Sequence, residues 1–275
     1  QDHLGNMCIG TWAGLDQFIS DRNNFRHYRH DPADKNSLTD NRILCLYEDK
    51  KGFVWIGTYK GLNKLNPVSK TFSRYMTEPD NPNSLSHERV SAILQDRKGI
   101  MWIGTLGGGL KRFDPDENIF TYFTESEGLP HSTIYGLAED DDGYLWISTN
   151  RGLSRFDPDS LTFKNFDAND GLQSNEFNAG ACFKSKSGEL FFGGINGYNR
   201  FYPKAVQEHQ FVPPLIVTSF KIFDKEVSLD SSISEIHELQ LSYRKNFFAF
   251  EFAALDYSNP EKNIYAYKLE GFDRD

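Results

Sequence analysis

Several things are scarce in this 275-residue chain, and each scarcity excludes something. No apolar run approaches the ~20 residues that a bilayer-spanning helix needs, and the Gln1-Asp2-His3 start has no signal-peptide pattern. That start falls inside a repeat, so the sequence reads as a segment of a longer protein. Only three cysteines are present, Cys8, Cys45 and Cys182; they cannot form a complete set of internal disulfides and show no metal-ligand spacing. All three sit in apolar, strand-like stretches and read as small buried hydrophobes, which leaves the redox compartment open. Cations are also in deficit: 30 Lys and Arg against 39 Asp and Glu give a net charge of −9. That balance excludes a general nucleic-acid or anionic-membrane binder, because phosphate recognition needs clustered positive charge. The seven histidines show no H-x-x-x-H pattern, so no metal site is expected. The Gly107-Gly108-Gly109 run opens no helix and reads as a turn, with no cofactor implied. No segment sustains a 3.6-residue apolar period, and no Trp-Asp dipeptide marks a WD repeat.

What the chain does have is aromatic residues, 15%, together with 22 glycines, a composition suited to short strands joined by tight turns. It also repeats itself. The phrase GFVWIGT beginning at Gly52 recurs as GIMWIGT at Gly99, with degraded copies at Gly5, Gly143 and Gly188, a period of 44–47 residues. Each copy is followed by Gly and a large residue (Gly14-Leu15, Gly61-Leu62, Gly109-Leu110, Gly152-Leu153, Gly197-Tyr198), and most then reach Pro. Within a unit, 43–48, 53–58, 62–66 and 71–76 read as four strands separated by turns. Four-stranded units of this length are the signature of β-propeller blades. The Asp-x-x-Gly-x-x-Trp run (Asp49, Asp96, Asp140) resembles a sialidase Asp-box with one extra residue. It reads as a hairpin turn in which Asp caps backbone N–H groups and Trp packs between blades.

After Pro203 the period stops, and Pro213-Pro214 marks a boundary. The run 215–223 is β-rich, and those at 238–243, 247–252 and 264–269 alternate or set their aromatic residues on one face, as half-buried antiparallel strands do. The expected fold is therefore all-β: propeller segment 1–203 with three complete and two partial blades, linker 204–213, and a truncated Ig-like β-sandwich over 214–275.

The W-I-G-T-x-x-G-L repeats with D-P endings resemble the two-component regulator propeller (Reg_prop) repeat. The tail FAFEFAALDYSNPEKNIYAYKLEGFDRD resembles the start of the triple-tyrosine (Y_Y_Y) sandwich domain that follows such propellers. This resemblance implies the periplasmic sensor region of a Bacteroidetes hybrid two-component system. In such systems a transmembrane helix, histidine kinase, receiver and DNA-binding domain follow the sandwich, and oligosaccharides switch on glycan-utilisation genes. It further implies a non-catalytic segment and a parent that is a histidine kinase. Such sensors usually carry more blades upstream than are counted here. Contact with the membrane is expected only through the missing downstream helix. A homodimer through the sandwich region is also expected, because a cut sheet leaves an apolar edge.

Binding on a propeller gathers on the face formed by the second-to-third-strand turns and the inter-blade loops. The turns present Trp12, Tyr59, Lys60, Asn150, Arg151 and Asn196; the loops present Arg42, His87, Arg89, His131, Asn175 and Glu176. Aromatic faces flanked by Asn, Arg, His and carboxylates suit sugars, which need both stacking and bidentate polar partners. Structural alternatives stand beside each. Trp12 and Tyr59 could cap blade edges, His87 and His131 share one repeat position and could open the inner strand, and Arg42 and Arg89 could pair a neighbouring blade's carboxylate. The acidic run 139–142 reads as a solvated hairpin tip. A propeller glycosidase or lyase using Glu88 and Glu176, or a protein-interaction scaffold, would have the same fold.

Overall fold

The computed structural model describes residues 2–3, 5–19, 23–78, 80–81, 84–85, 87–114, 119–206, 214–227, 233, 236, 238–255, 265–268 and 270. Two compact units are present, Gln1–Val206 and Gln207–Asp275.

The first unit is five antiparallel sheets in chain order. Blade one holds β1 (Met7–Thr11), β2 (Gly14–Ile19) and β3 (Asn24–Tyr28). Blade two holds β4 (Ile43–Glu48), β5 (Val54–Thr58), β6 (Gly61–Leu65) and β7 (Phe72–Tyr75). Blade three holds β8 (Val90–Gln95), β9 (Met101–Thr105), β10 (Leu110–Asp114) and β11 (Ile119–Phe123). Blade four holds β12 (Ile134–Glu139), β13 (Leu145–Thr149), β14 (Gly152–Asp157) and β15 (Thr162–Phe166). Blade five holds β16 (Phe177–Lys184), β17 (Leu190–Gly194) and β18 (Gly197–Phe201). The repeated W-I-G-T phrase is the second strand of each complete blade.

Each residue of that phrase has a distinct task. Trp55, Trp102 and Trp146 are fully buried between their own blade and the next. Trp102 lies tilted beside Phe123 of its own blade and meets Phe156 of blade four edge-on at 5.4 Å; Trp55 stacks on Tyr75 and meets Phe113 edge-on, and Trp146 stacks on Phe166 and lies tilted to Phe201. Burying such a side chain contributes about 3 kcal/mol, and the edge-to-face geometry adds specificity. The glycine of the phrase lets the next blade's inner strand approach. A Cβ on Gly104 would lie 2.5 Å from Ile134 Cγ2, and one on Gly57 would lie 2.5 Å from the Val90 carbonyl. The inner strands β4, β8, β12 and β16 therefore pack side by side, with β16 also approaching β4. Each inner strand shifts register near its start and carries a small residue there: Cys45, Ala92, Gly136 or Cys182.

The Asp of the Asp-x-x-Gly-x-x-Trp run caps its turn as the sequence suggests and does one thing more. Asp96 Oδ1 accepts from the Ile100 backbone at 2.8 Å, while Oδ2 accepts the Trp102 indole N–H at 2.9 Å. Asp49 and Asp140 do the same with Trp55 and Trp146. One buried carboxylate thus fixes both the hairpin tip and the tryptophan rotamer.

The 139–142 tip is solvated in part, with Asp141 and Asp142 exposed, but its charges are also engaged. Asp140 is the buried cap, Glu139 pairs with Arg97 of blade three at 2.8 Å, and Asp141 pairs with Lys184 of blade five at 2.8 Å. Equivalent tip contacts join the other blades, with Lys50 N donating to Gln95 Oε1 and His3 N donating to Glu48 Oε1. The residue that ends each inner strand therefore receives the preceding blade's tip.

The second unit contains β19 (Leu215–Ile222), β20 (Lys225–Glu226) and β21 (Phe248–Ala254) in the order β20-β19-β21. Phe220 is buried against Phe248 and Phe250. Residues 238–243 form no strand, and Gln240 bonds the nearby Glu238, so alternation alone did not make a strand there. Residues 265–268 also lack strand geometry, whereas Ile264 and Leu269 lie outside the described residues. Tyr265 instead packs on Phe252 and its hydroxyl accepts from Ala254 N at 3.1 Å.

Candidate functional site

The loop-bearing face is organised by backbone hydrogen bonds from the second-to-third-strand turns. Tyr59 N donates to Arg42 O at 3.1 Å and Gly61 N to Glu88 O at 2.7 Å, tying one turn to its own inter-blade loop and to the next. The same pattern recurs at Leu106, Gly109, Asn150, Gly152 and Ile195. The phrase's threonine closes each turn from within: Thr58 Oγ1 donates to Gly61 O and accepts from Lys60 N. Thr11, Thr105 and Thr149 repeat it. Blade five has Gly194 in that place, and Gln173 takes over by accepting from Asn196 N at 2.8 Å. These rigid turns hold outward whatever residue follows the threonine.

In blades one and two that residue is aromatic. Trp12 is 73% exposed and its ring lies 6.0 Å from that of Tyr59. Arg42 rests over the Tyr59 ring at 4.5 Å, and Arg89, from the same position one repeat later, rests over it at 5.4 Å. The structure thus brings four of the sequence candidates together across blades one to three, although Tyr59 carries two guanidiniums in place of a free stacking face. Trp12 is the open aromatic. Arg42 does not pair a neighbouring blade; it forms a two-pronged bond with Asp40 of its own loop, at 2.9 and 3.0 Å. That bond holds the Asp40 carboxyl below the usual carboxylate range. Lys60 is exposed beside them.

The two histidines do the structural job open to them. His87 Nδ1 accepts from Arg89 N at 3.2 Å and His131 Nδ1 from Thr133 N at 3.0 Å. Asp40 and Ser174 fill the same place, accepting from Arg42 N and Glu176 N. Each side chain turns the loop into its inner strand, which requires a neutral histidine. Burial and the nearby Lys111 and Arg89 charges push the His87 pKa down, in keeping with that state.

The remaining candidates lie on blades four and five. Asn150 Oδ1 accepts from the hydroxyl of Tyr135 at 3.2 Å, and Asn175 Oδ1 accepts from Ala168 N at 2.8 Å. Arg151, Glu176 and Asn196 are exposed. Glu176 is close enough to Tyr135 to help raise its pKa, after burial. Tyr135 was not among the sequence candidates; its place one residue after the blade-opening Ile134 is the signal that would have found it. Lys111 was also missed. It is fully buried on β10, with Nζ donating to Gly108 O at 2.9 Å and sitting over the Tyr122 ring, and burial brings its pKa down to about 7.

Two cavities, of about 130 and 100 Å³, lie at the opposite, hairpin-tip end, and neither Glu88 nor Glu176 lines them. Among the described residues no cluster of His, Cys, Asp and Glu could hold a metal ion.

Comparison with known proteins agrees with this architecture. The "two component regulator propeller" model matches residues 37–60, 84–107 and 128–151, each spanning a loop, an inner strand and the W-I-G-T strand. The chain is 26% identical over 156 residues to a histidine kinase, P4, of Formosa agariphila, covering 54% of this chain and 11% of that protein. It is similar to the extracellular domain of BT3049 of B. thetaiotaomicron, assigned to a hybrid two-component system: 25% identity, TM-score 0.53, covering 94% of this chain and 41% of the other. The extracellular domain of BT4673 from the same organism shares the fold at 19% identity and a TM-score of 0.64, over 92% and 47%. Virginiamycin B lyase of Staphylococcus aureus also shares it, at 16% identity and a TM-score of 0.56, over 74% and 64%. The chain therefore spans about half of the solved extracellular domains and about a tenth of the histidine kinase. Among the described residues no helix is long and apolar enough to cross a membrane.

Proposed function

We propose that this chain is part of the periplasmic sensor region of a hybrid two-component system, and that its loop-bearing face binds an oligosaccharide released from a polysaccharide. Binding would be relayed to transcription of the genes that use that glycan. The observation that carries the reading is the exposed Trp12 beside the Arg42–Tyr59–Arg89 stack. An indole on a rigid turn with directional N–H donors around it is what sugar recognition requires. Covering Trp12 is worth about 2 kcal/mol. The similarity to extracellular domains of two-component systems supports the sensory role. A ligand shifts a signalling equilibrium only through its different affinity for two states, so the relay also needs the downstream parts of the parent protein.

A glycan array spanning plant, fungal and host oligosaccharides tests the reading on the 275-residue chain, with release of reducing ends measured in parallel. Binding without cleavage is expected. Cleavage would favour the lyase or glycosidase alternative; folded protein that binds partner proteins and no glycan would favour an interaction scaffold.

A further inference from the structure

We propose that the oligosaccharide bound by this face is anionic, carrying carboxylate or sulfate groups that meet Arg89, Lys60 and the outer edge of Arg42 beside Trp12. This rests on the sugar-binding reading above and adds the ligand's charge class.

The chain as a whole is acidic, at −9, yet the Trp12–Tyr59 cluster is a basic island. Arg42 and Arg89 converge on one ring, and Lys60 is close enough to Asp40 to help lower its pKa. Against these stand Asp40, which cancels Arg42 because that arginine engages both its oxygens, and the exposed Glu88, so Arg89 and Lys60 supply the positive excess. Asp16 and Arg29 of blade one cancel, paired at 2.8 Å. Among the described residues neither Arg89 nor Lys60 forms an ion pair. A guanidinium held against an aromatic face can still turn an N–H edge to carboxylate or sulfate, which here means Arg89 and the edge of Arg42 that Asp40 does not occupy.

The scaffold does not require these cations. The position of Arg42 and Arg89 is occupied by Thr133 in blade four and Glu176 in blade five, and that of Trp12 and Tyr59 by Asn150 and Ile195. Blade four forms the same four-stranded sheet and blade five a three-stranded one, and both make the same turn-to-loop hydrogen bonds without those residues. The arginines and turn aromatics at these two repeat positions are therefore specific to blades one to three, although blade four keeps a cation, Arg151, in the place of Lys60.

Two measurements on the 275-residue chain test this. Trp12 is the one exposed tryptophan of four, since Trp55, Trp102 and Trp146 are at most 1% exposed, so collisional quenching reads its surroundings alone. At low salt, iodide is expected to quench more strongly than caesium, and Arg89→Gln to reduce the difference at least twofold; stronger quenching by caesium in the parent chain overturns the proposal. The second is titration with four size-matched probes: an oligogalacturonate, its methyl ester, a sulfated galactan oligosaccharide and a neutral cello-oligosaccharide. One anionic probe is expected to bind at least tenfold more tightly than the neutral pair and to lose that margin in Arg89→Gln, while Arg89→Lys keeps part of it. Which anionic probe binds separates carboxylate from sulfate recognition. Neutral probes binding as tightly as anionic ones, or binding alone, overturn the proposal and leave the sugar-binding reading standing. If no probe binds, the sugar-binding reading loses its support, and the quenching ratio decides whether the island is positive.

Discussion

Asp96 and Trp102 form the central bond of their blade: a carboxylate 2% exposed accepts the N–H of a fully buried indole at 2.9 Å. Removing the acceptor would leave a buried donor unsatisfied and the hairpin tip uncapped. Asp96→Ala is therefore expected to destabilise the first unit by about 3 kcal/mol, measured by urea unfolding. Asp2→Ala should cost less, since blade one has Cys8 where blades two to four have Trp, and Asp2 accepts from Asn6 and Gln17 instead.

Gly104→Val is expected to be worse tolerated than any surface change, because its Cβ has no room beside Ile134. Destabilisation of at least about 2 kcal/mol is expected from overpacking. Blade four shows what must give. There Ser148 takes the glycine's place, and its own inner strand carries Gly136, whose missing side chain leaves space for the hydroxyl.

Lys111 supplies a pH dependence. Burial lowers its pKa from 10.5 to about 7, so the folded chain sheds this proton near neutrality and the unfolded chain keeps it until about pH 10. Between those values the unfolded state binds more protons, and stability rises with pH, by at most about 1.4 kcal/mol per pH unit. Lys111→Met should flatten that rise and stabilise the fold at pH 6, read from urea midpoints at pH 6 and pH 9.

The cysteines should be inert in the native state. Burial pushes the Cys45 thiol up to about 12 and raises Cys8 and Cys182 as well, and a thiol that does not ionise is a poor nucleophile. Cys45 and Cys182 each donate to the neighbouring inner strand, to Val90 O and Leu137 O. Labelling by a thiol-specific disulfide reagent at pH 8 is expected to be slow until urea unfolds the chain.

Much of this fold was written in the repeat. Trp55, Trp102 and Trp146 announced the blade spacing because blades two to four each bury one indole at the same place in the repeat. The phrase's threonine was visible four times over, at Thr11, Thr58, Thr105 and Thr149, but its meaning was not, since closing a turn from the side chain leaves no periodic trace of its own. In the second unit the alternation at 238–243 failed, because a period-two pattern records a tendency to bury one face and says nothing about whether a partner edge exists. The site was half legible. Register placed Trp12 and Tyr59 in one row and Arg42 and Arg89 in another, but the convergence of both arginines on one ring depends on side-chain packing across three blades. Lys111 was hidden because its repeat counterparts, Asn63, Ser154 and Asn199, are short polar residues, and nothing in the one-dimensional pattern marks a lysine there as buried.

The account stands on Trp12. Isothermal titration of the best oligosaccharide from the array against the parent chain and Trp12→Ala compares the site with and without its open aromatic. The predicted result is a loss of at least about tenfold in affinity, close to 1.4 kcal/mol, with circular dichroism unchanged. Equal affinity in the two proteins would place the ligand elsewhere and contradict it.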